Sequence, residues 1–190
     1  MNLLKEKIMM DGKVIMPDIL KVDGFLNHQI ESQLCKEIAK TFKEKFGGKK
    51  VTKILTIEAS GIALALAVAY EFGHIPVLFA KKGTSKIMHD DMYTAKIHSY
   101  TKNVTYDASI KKEYLTSDDH VLLIDDFLAN GQAMLGLLSM CEQAKVTISG
   151  IGIVIEKGFQ EGRKLLKKKG YAVESLVVIK EFKDGRIIFK

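Results

Sequence analysis

The chain has 190 residues, 47% hydrophobic and 27% charged, the size and balance of one soluble domain with a single core. Its net charge of +6 invites a nucleic-acid partner, but the basic residues are scattered or sit in short clusters such as Lys49 and Lys50, Lys81 and Lys82, and residues 167–169. That argues against nucleic acid and for a small phosphate-rich ligand. The longest strongly apolar run, residues 62–70, is too short to cross a bilayer, and MNLLKEKIMMDG mixes acids and bases unlike a signal peptide. Cys35 and Cys141 lack metal-like spacing and read as small core residues of a reduced, cytoplasmic compartment.

In chain order, the pattern predicts a helix over residues 3–10, stopped at Asp11-Gly12. A second helix over 31–46 places Leu34, Cys35, Ile38, Phe42 and Phe46 on one face and ends at Gly47-Gly48. Residues 53–57 (KILTI) form a short apolar strand, followed by a turn, an Ala-rich helix over 61–72 and a strand over 76–80 (PVLFA). After a polar stretch, residues 92–99 and 103–110 can pair as a hairpin. Residues 120–124 (HVLLI) are a fully apolar strand, 131–144 an apolar helix, 147–156 a strand, 160–169 a helix and 174–179 a strand. Apolar strands separated by helices predict a parallel sheet covered on both faces, with ligands at the carboxyl ends of its strands.

Two patterns are set aside. Gly150-Ile151-Gly152 begins like a dinucleotide fingerprint but has no third glycine in register, and reads as a strand where small residues permit close packing. His28, His74, His89, His98 and His120 form no metal-ligand or nucleophile–base pattern.

The most informative stretch is VLLIDDFLANGQA, residues 121–133. A buried strand ends in Asp125 and Asp126, and a short turn of small residues leads into a helix. Unpaired N–H groups at a helix start bind phosphate, and Gly131 lets the backbone approach an anion closely. The two carboxylates can accept hydrogen bonds from neighbouring hydroxyls and stabilise positive charge developing on a sugar ring. Asp-Asp and one Gly alone read more readily as a plain strand–turn–helix corner; the full pattern is more specific.

That stretch resembles the phosphoribosyl pyrophosphate signature of type I phosphoribosyltransferases. The form DDFLANGQA, with GIGIVIEKGFQEGR from Gly150, KVDGFLNHQI, TIEASGIALA and FAKKGTSK, is similar to the bacterial xanthine phosphoribosyltransferases, over essentially the whole chain. The usual turn of the wider family has Thr where Asn130 stands and Gly or Thr near Gln132 and Ala133; the xanthine branch shares this chain's version.

The resemblance implies an α/β fold, a parallel sheet flanked by helices with a small hood built from the N- and C-terminal segments. It implies one domain with its core over about 31–158 and the hood over about 1–30 and 159–190. Ala129, Asn130, Gly131, Gln132 and Ala133 would hold the 5-phosphate, with Asp125 and Asp126 facing the ribose hydroxyls as the catalytic pair. Ser60 and Gly61 would grip the pyrophosphate, although Ser60 serves equally well as a helix cap. Lys81 and Lys82, with the polar stretch running to Tyr93, would supply basic residues and a mobile loop that closes over the site; on residue type alone the two lysines are solvated surface charge. Such basic residues can serve a neighbouring subunit's site, so a homodimer is implied.

For the base, Leu20 would pack on the purine ring, Asn27 would hydrogen-bond its edge, Lys157 would donate to a ring carbonyl and Phe159 would stack. The implied cofactor is Mg2+, held on substrate oxygens without a dedicated protein cage. The implied reaction joins xanthine to phosphoribosyl pyrophosphate; guanine or hypoxanthine stays open as the base. A regulator that senses phosphoribosyl pyrophosphate is the rival from another class, but no helix-turn-helix unit fits in residues 1–29.

Overall fold

A computed structural model describes residues 2–83, 91–99 and 103–190. The N-terminal helix α1 (Asn2–Asp11) leads into a small antiparallel pair, β1 (Lys13–Ile15) with β2 (Ile19–Lys21), and a single π-helical turn over Asp23–Asn27. Then follow α2 (Ser32–Phe46), β3 (Lys53–Ile57), α3 (Gly61–Glu71), β4 (Val77–Lys82), β5 (Met92–Ser99) and β6 (Val104–Lys111). The second half runs β7 (His120–Leu128), α4 (Gln132–Ala144), β8 (Thr147–Lys157), α5 (Gly162–Lys168), β9 (Glu174–Lys183) and β10 (Arg186–Phe189).

Among the described residues, eight strands form one sheet in the order β10-β9-β8-β7-β3-β4-β6-β5. The five central strands, β9 to β4 in that order, are parallel, as the alternation of apolar strands and helices predicts; antiparallel strands extend both edges. Successive strand residues face opposite sides. Ile54, Leu122 and Ile124 pack with α1, α2 and α3, whereas Leu55, Leu123 and Ile153 pack with α4 and Leu166 of α5. Both cysteines are free and buried in this core, and burial pushes the Cys141 thiol up to about 12.

Three differences from the sequence pattern have physical causes. β1 and β2 have only three residues each, too short to show alternation, so the pattern leaves them as loop. β7 does not stop at Ile124. It continues through the two acids to Leu128, because Phe127 and Leu128 keep register with Ile155 and Glu156 of β8. β9 likewise runs on to Lys183 and turns at Asp184-Gly185 into β10; both turn residues have positive φ, and Asp-Gly is a hairpin signal the pattern contained.

The Gly150-Ile151-Gly152 strand is closely packed, as its composition predicts. A Cβ on Gly150 would overlap the Phe46 ring, and one on Gly152 would lie 2.8 Å from both Phe42 and Ile124. α2 therefore rests directly on the backbone of β8. Gly152→Val is expected to lower stability by about 1–3 kcal/mol through overpacking, read as a lower melting temperature with an unchanged helix signal by circular dichroism.

Candidate functional site

The strand order reverses between β3 and β7: β3 leads outward to β4, and β7 leads the other way to β8. Such a reversal leaves a crevice at the carboxyl ends of the strands, because the connecting helices α3 and α4 depart to opposite faces. Residues 58–61 after β3, Lys81 and Lys82 ending β4, the acids of β7 with its following turn, and Lys157 ending β8 all lie on this edge.

Asp125 and Asp126 are buried, at 5% and 7% exposure, and not at an exposed strand end. The Asp126 backbone N–H donates to Asp125 Oδ1 at 3.0 Å. Burial first, and then the charge of Asp126, hold the Asp125 carboxyl well above the usual carboxylate range, while Lys82 opposes them. Lys82 comes from β4 with its ammonium 5.4 Å from the centre of the Tyr106 ring. Its backbone N–H donates to Glu58 Oε1 at 2.5 Å, which ties β4 to the turn after β3. Lys81 is exposed beside it, in register with Ser109 of β6.

The turn after β3 contains a cis peptide between Glu58 and Ala59 and runs through Ser60 into α3. Ser60 makes no side-chain cap bond there, so the helix-cap alternative has no contact behind it. Gly61 is buried and close to Asp125: a Cβ would lie 3.5 Å from Asp125 Oδ1 and would overlap the Thr56 hydroxyl. That hydroxyl is fully buried with no hydrogen-bond partner among the described residues. The structure thus brings Gly61, Lys82 and the Asp125–Asp126 pair together.

Residues 129–133 turn from β7 into α4. Gly131 has φ +81, a left-handed conformation that favours glycine, and its carbonyl accepts from Leu135 N–H at 2.9 Å. Beside this turn lies a cavity of about 190 Å³, whose opposite wall is Ile97, His98, Ser99 and Tyr106 of the β5–β6 hairpin. A larger cavity of about 690 Å³ is lined by residues of β4 and β6 with Met92, Glu113 and Tyr114. Gly83 and Asp91, which line it, border residues 84–90 outside the described residues, so no site is assigned to it. The loop expected to close over the site falls partly on those same residues.

On the far side, Lys157 Nζ donates to the Asp18 carbonyl at 2.6 Å and lies 5.9 Å from the Phe127 ring centre. Burial pushes the Lys157 ammonium below the usual lysine range, and Asp18 opposes that shift. Gln160 Nε2 donates to Asp18 Oδ2 at 3.1 Å. These bonds bring the end of β8 against the chain just before β2, which carries Leu20. Leu20 itself is only 6% exposed and packs in the core. Asn27 is exposed at the end of the π-helical turn and makes no hydrogen bond with this group. Phe159 is 40% exposed and meets Phe182 edge-on at 5.4 Å. Asp18, Thr56 and Tyr106 are the neighbours that sequence reading missed; a lone residue outside any motif carries no periodic or spacing signal.

The phosphoribosyl transferase domain family matches residues 21–184. A xanthine phosphoribosyltransferase of Clostridium novyi is 50% identical over 190 residues, all of both chains. One of Finegoldia magna is 52% identical, again over all of both chains. Among solved structures, APRTase from Giardia lamblia complexed with 9-deazaadenine superposes with a TM-score of 0.76, covering 92% of this chain and 97% of that one. At 21% identity it shows a shared fold.

The contact of Gly61 with Thr56 is testable by unfolding. Gly61→Ala should cost about 1–3 kcal/mol by overpacking, and the double change Gly61→Ala with Thr56→Ala should recover most of it. Equal melting temperatures for the single and double variants would contradict the contact.

Proposed function

Because the chain belongs to the phosphoribosyl transferase domain family, we propose that it transfers the 5-phosphoribosyl group from phosphoribosyl pyrophosphate to xanthine, releasing pyrophosphate and xanthosine 5′-monophosphate. The observation that carries the base assignment is identity of about half the residues, end to end, with several xanthine phosphoribosyltransferases. The site geometry supports the reaction type: a buried carboxylate pair and a glycine-containing turn stand together at the reversal of the sheet.

In this reading Ala129, Asn130, Gly131, Gln132 and Ala133 hold the 5-phosphate with backbone N–H groups at the start of α4. Asp125 and Asp126 accept hydrogen bonds from the ribose hydroxyls, and their charge stabilises the cation-like sugar as the pyrophosphate departs. Ser60 and Gly61 sit on the pyrophosphate side, with Lys81 and Lys82 supplying positive charge. Lys157 donates to a ring carbonyl of the base, Leu20 and Phe159 flank the ring, and Asn27 bonds its edge. The terminal segments, about 1–30 and 159–190, border this base side as the hood, the second of them while its β9 also continues the parallel sheet. The lowered affinity of the Lys157 ammonium for its proton, caused by burial, suits a group that donates to a neutral carbonyl.

The hard carboxylate oxygens beside the phosphate turn are the donor type that Mg2+ accepts. Mg2+ would bind chiefly through pyrophosphate and ribose oxygens, and would neutralise charge on the leaving group. The protein is read as a cytoplasmic homodimer acting on small molecules, without nucleic acid or membrane; among the described residues no helix is long and apolar enough to cross a membrane.

The test is nucleotide formation from phosphoribosyl pyrophosphate and Mg2+ with xanthine, guanine or hypoxanthine. Preference for xanthine is expected; preference for another base would refute the base assignment, and no nucleotide with any base would refute the reaction. Asp126→Asn should keep the fold and lower kcat at least about tenfold, equal to ~1.4 kcal/mol of transition-state stabilisation.

A further inference from the structure

The segment after β8 does more than end a strand. Gly162 N–H donates to the Ala129 carbonyl at 3.0 Å, and the Gly162 Cα sits against Gly131, so that a Cβ on Gly131 would lie 2.9 Å from it. A Cβ on Gly162 would in turn overlap the Ala129 carbonyl and lie 2.9 Å from Leu128 and 3.0 Å from Gly131 N. The first turn of α5 is therefore in backbone contact with the turn at residues 129–131, and only two facing glycines permit it.

This contact has a directional consequence. The C=O and N–H of a trans peptide point in opposite directions. Drawing the Ala129 carbonyl toward Gly162 turns the Asn130 N–H the opposite way, away from α5, so the contact fixes the direction in which this donor points.

The next residue fixes α5. Arg163 donates through Nε to Glu156 Oε1 at 2.7 Å and through Nη2 to Glu156 Oε2; its Nη1 donates to the Val173 carbonyl at 3.0 Å and its Nη2 to Ser175 Oγ at 3.0 Å. Ser175 Oγ donates to Glu156 Oε2 at 2.5 Å. Glu156 is 1% exposed, and although burial opposes its ionisation, Arg163 and Ser175 outweigh that and hold its carboxyl below the usual range. Only the carboxylate of this pair is buried, the Arg163 side chain being 40% exposed, and the forked hydrogen bonds fix its geometry. Here it ties the start of α5 to both β8 and β9.

We infer that Gly162 and Arg163 are positioning residues for the 5-phosphate: Gly162 sets the Ala129–Asn130 peptide so that its N–H faces the ligand, and Arg163 holds Gly162 in place. The inference rests on the proposed role of residues 129–133 and deepens it. Neither residue touches substrate; both act through the turn.

The experiment compares Gly162→Ala, Arg163→Lys and, as a control on the turn itself, Asn130→Asp, which puts negative charge where phosphate would sit. Dissociation of phosphoribosyl pyrophosphate with Mg2+ is measured by calorimetry without base, alongside KM for each substrate and the melting temperature. Gly162→Ala and Arg163→Lys should each weaken phosphoribosyl pyrophosphate at least about tenfold, in proportion to a displaced donor, with a much smaller change in KM for xanthine. A lower melting temperature with unchanged affinity in both would show a merely structural role and overturn the inference, provided Asn130→Asp does weaken binding. If Asn130→Asp leaves affinity unchanged as well, the turn is not the phosphate site, and the reading and the inference fall together. Should Gly162→Ala not fold, Arg163→Lys decides alone, because it keeps the charge while losing the fork to Glu156.

Discussion

Two carboxylates lie side by side in the interior of a parallel strand, and much of the carboxyl edge is arranged around them. Removing a carboxylate from water is costly unless charge or hydrogen bonds compensate. Asp125 receives one backbone hydrogen bond, from its neighbour, and faces the positive charge of Lys82. β4 must therefore reach far enough for its last residue to approach β7, and the Lys82 N–H bond to Glu58 holds it there. Gly61 leaves room for α3 to begin against the same acid. The cost of the pair is a local feature that a cationic or hydroxyl-bearing ligand would relieve.

Much of this was legible in the sequence. The central strands and the longer helices followed from apolar runs and helical spacing, because both faces of a parallel sheet must be covered and such strands become continuously apolar. The acids, the small-residue turn and the glycines of β8 stood out since each answers a steric or electrostatic demand at a single point. What stayed hidden was tertiary. β7 extends past Ile124 only because β8 offers register to Leu128. Burial of Asp126 accompanies that extension, which the pattern that located the pair did not show. Lys157 could be singled out, but its bond to the Asp18 carbonyl, formed across most of the chain, leaves no trace in spacing.

The base side and the phosphate side are joined by one short stretch. Lys157 bonds to the chain before β2, Gln160 repeats that link through the Asp18 carboxylate, and Gly162 bonds to the turn after β7. Six residues thus link the chain before β2, through the Lys157 and Gln160 side chains, to the turn after β7, through one backbone–backbone bond. Precision at a site depends on such support as much as on the residues facing the ligand.

The reversal of strand order also bears on how the chain folds. β3 and β7 are neighbours, with Lys53 opposite Val121, so their pairing closes a loop that contains α3, β4, β5 and β6. Bringing such distant strands together loses chain entropy before the contact repays it. On a growing polypeptide the crevice cannot exist until β7 has emerged, and the turn at residues 129–133 lacks its support until α5 follows. Competence to hold a ligand is thereby deferred to the last third of synthesis, while the half-sheet made first presents the unpaired edge of β3 that β7 will cover.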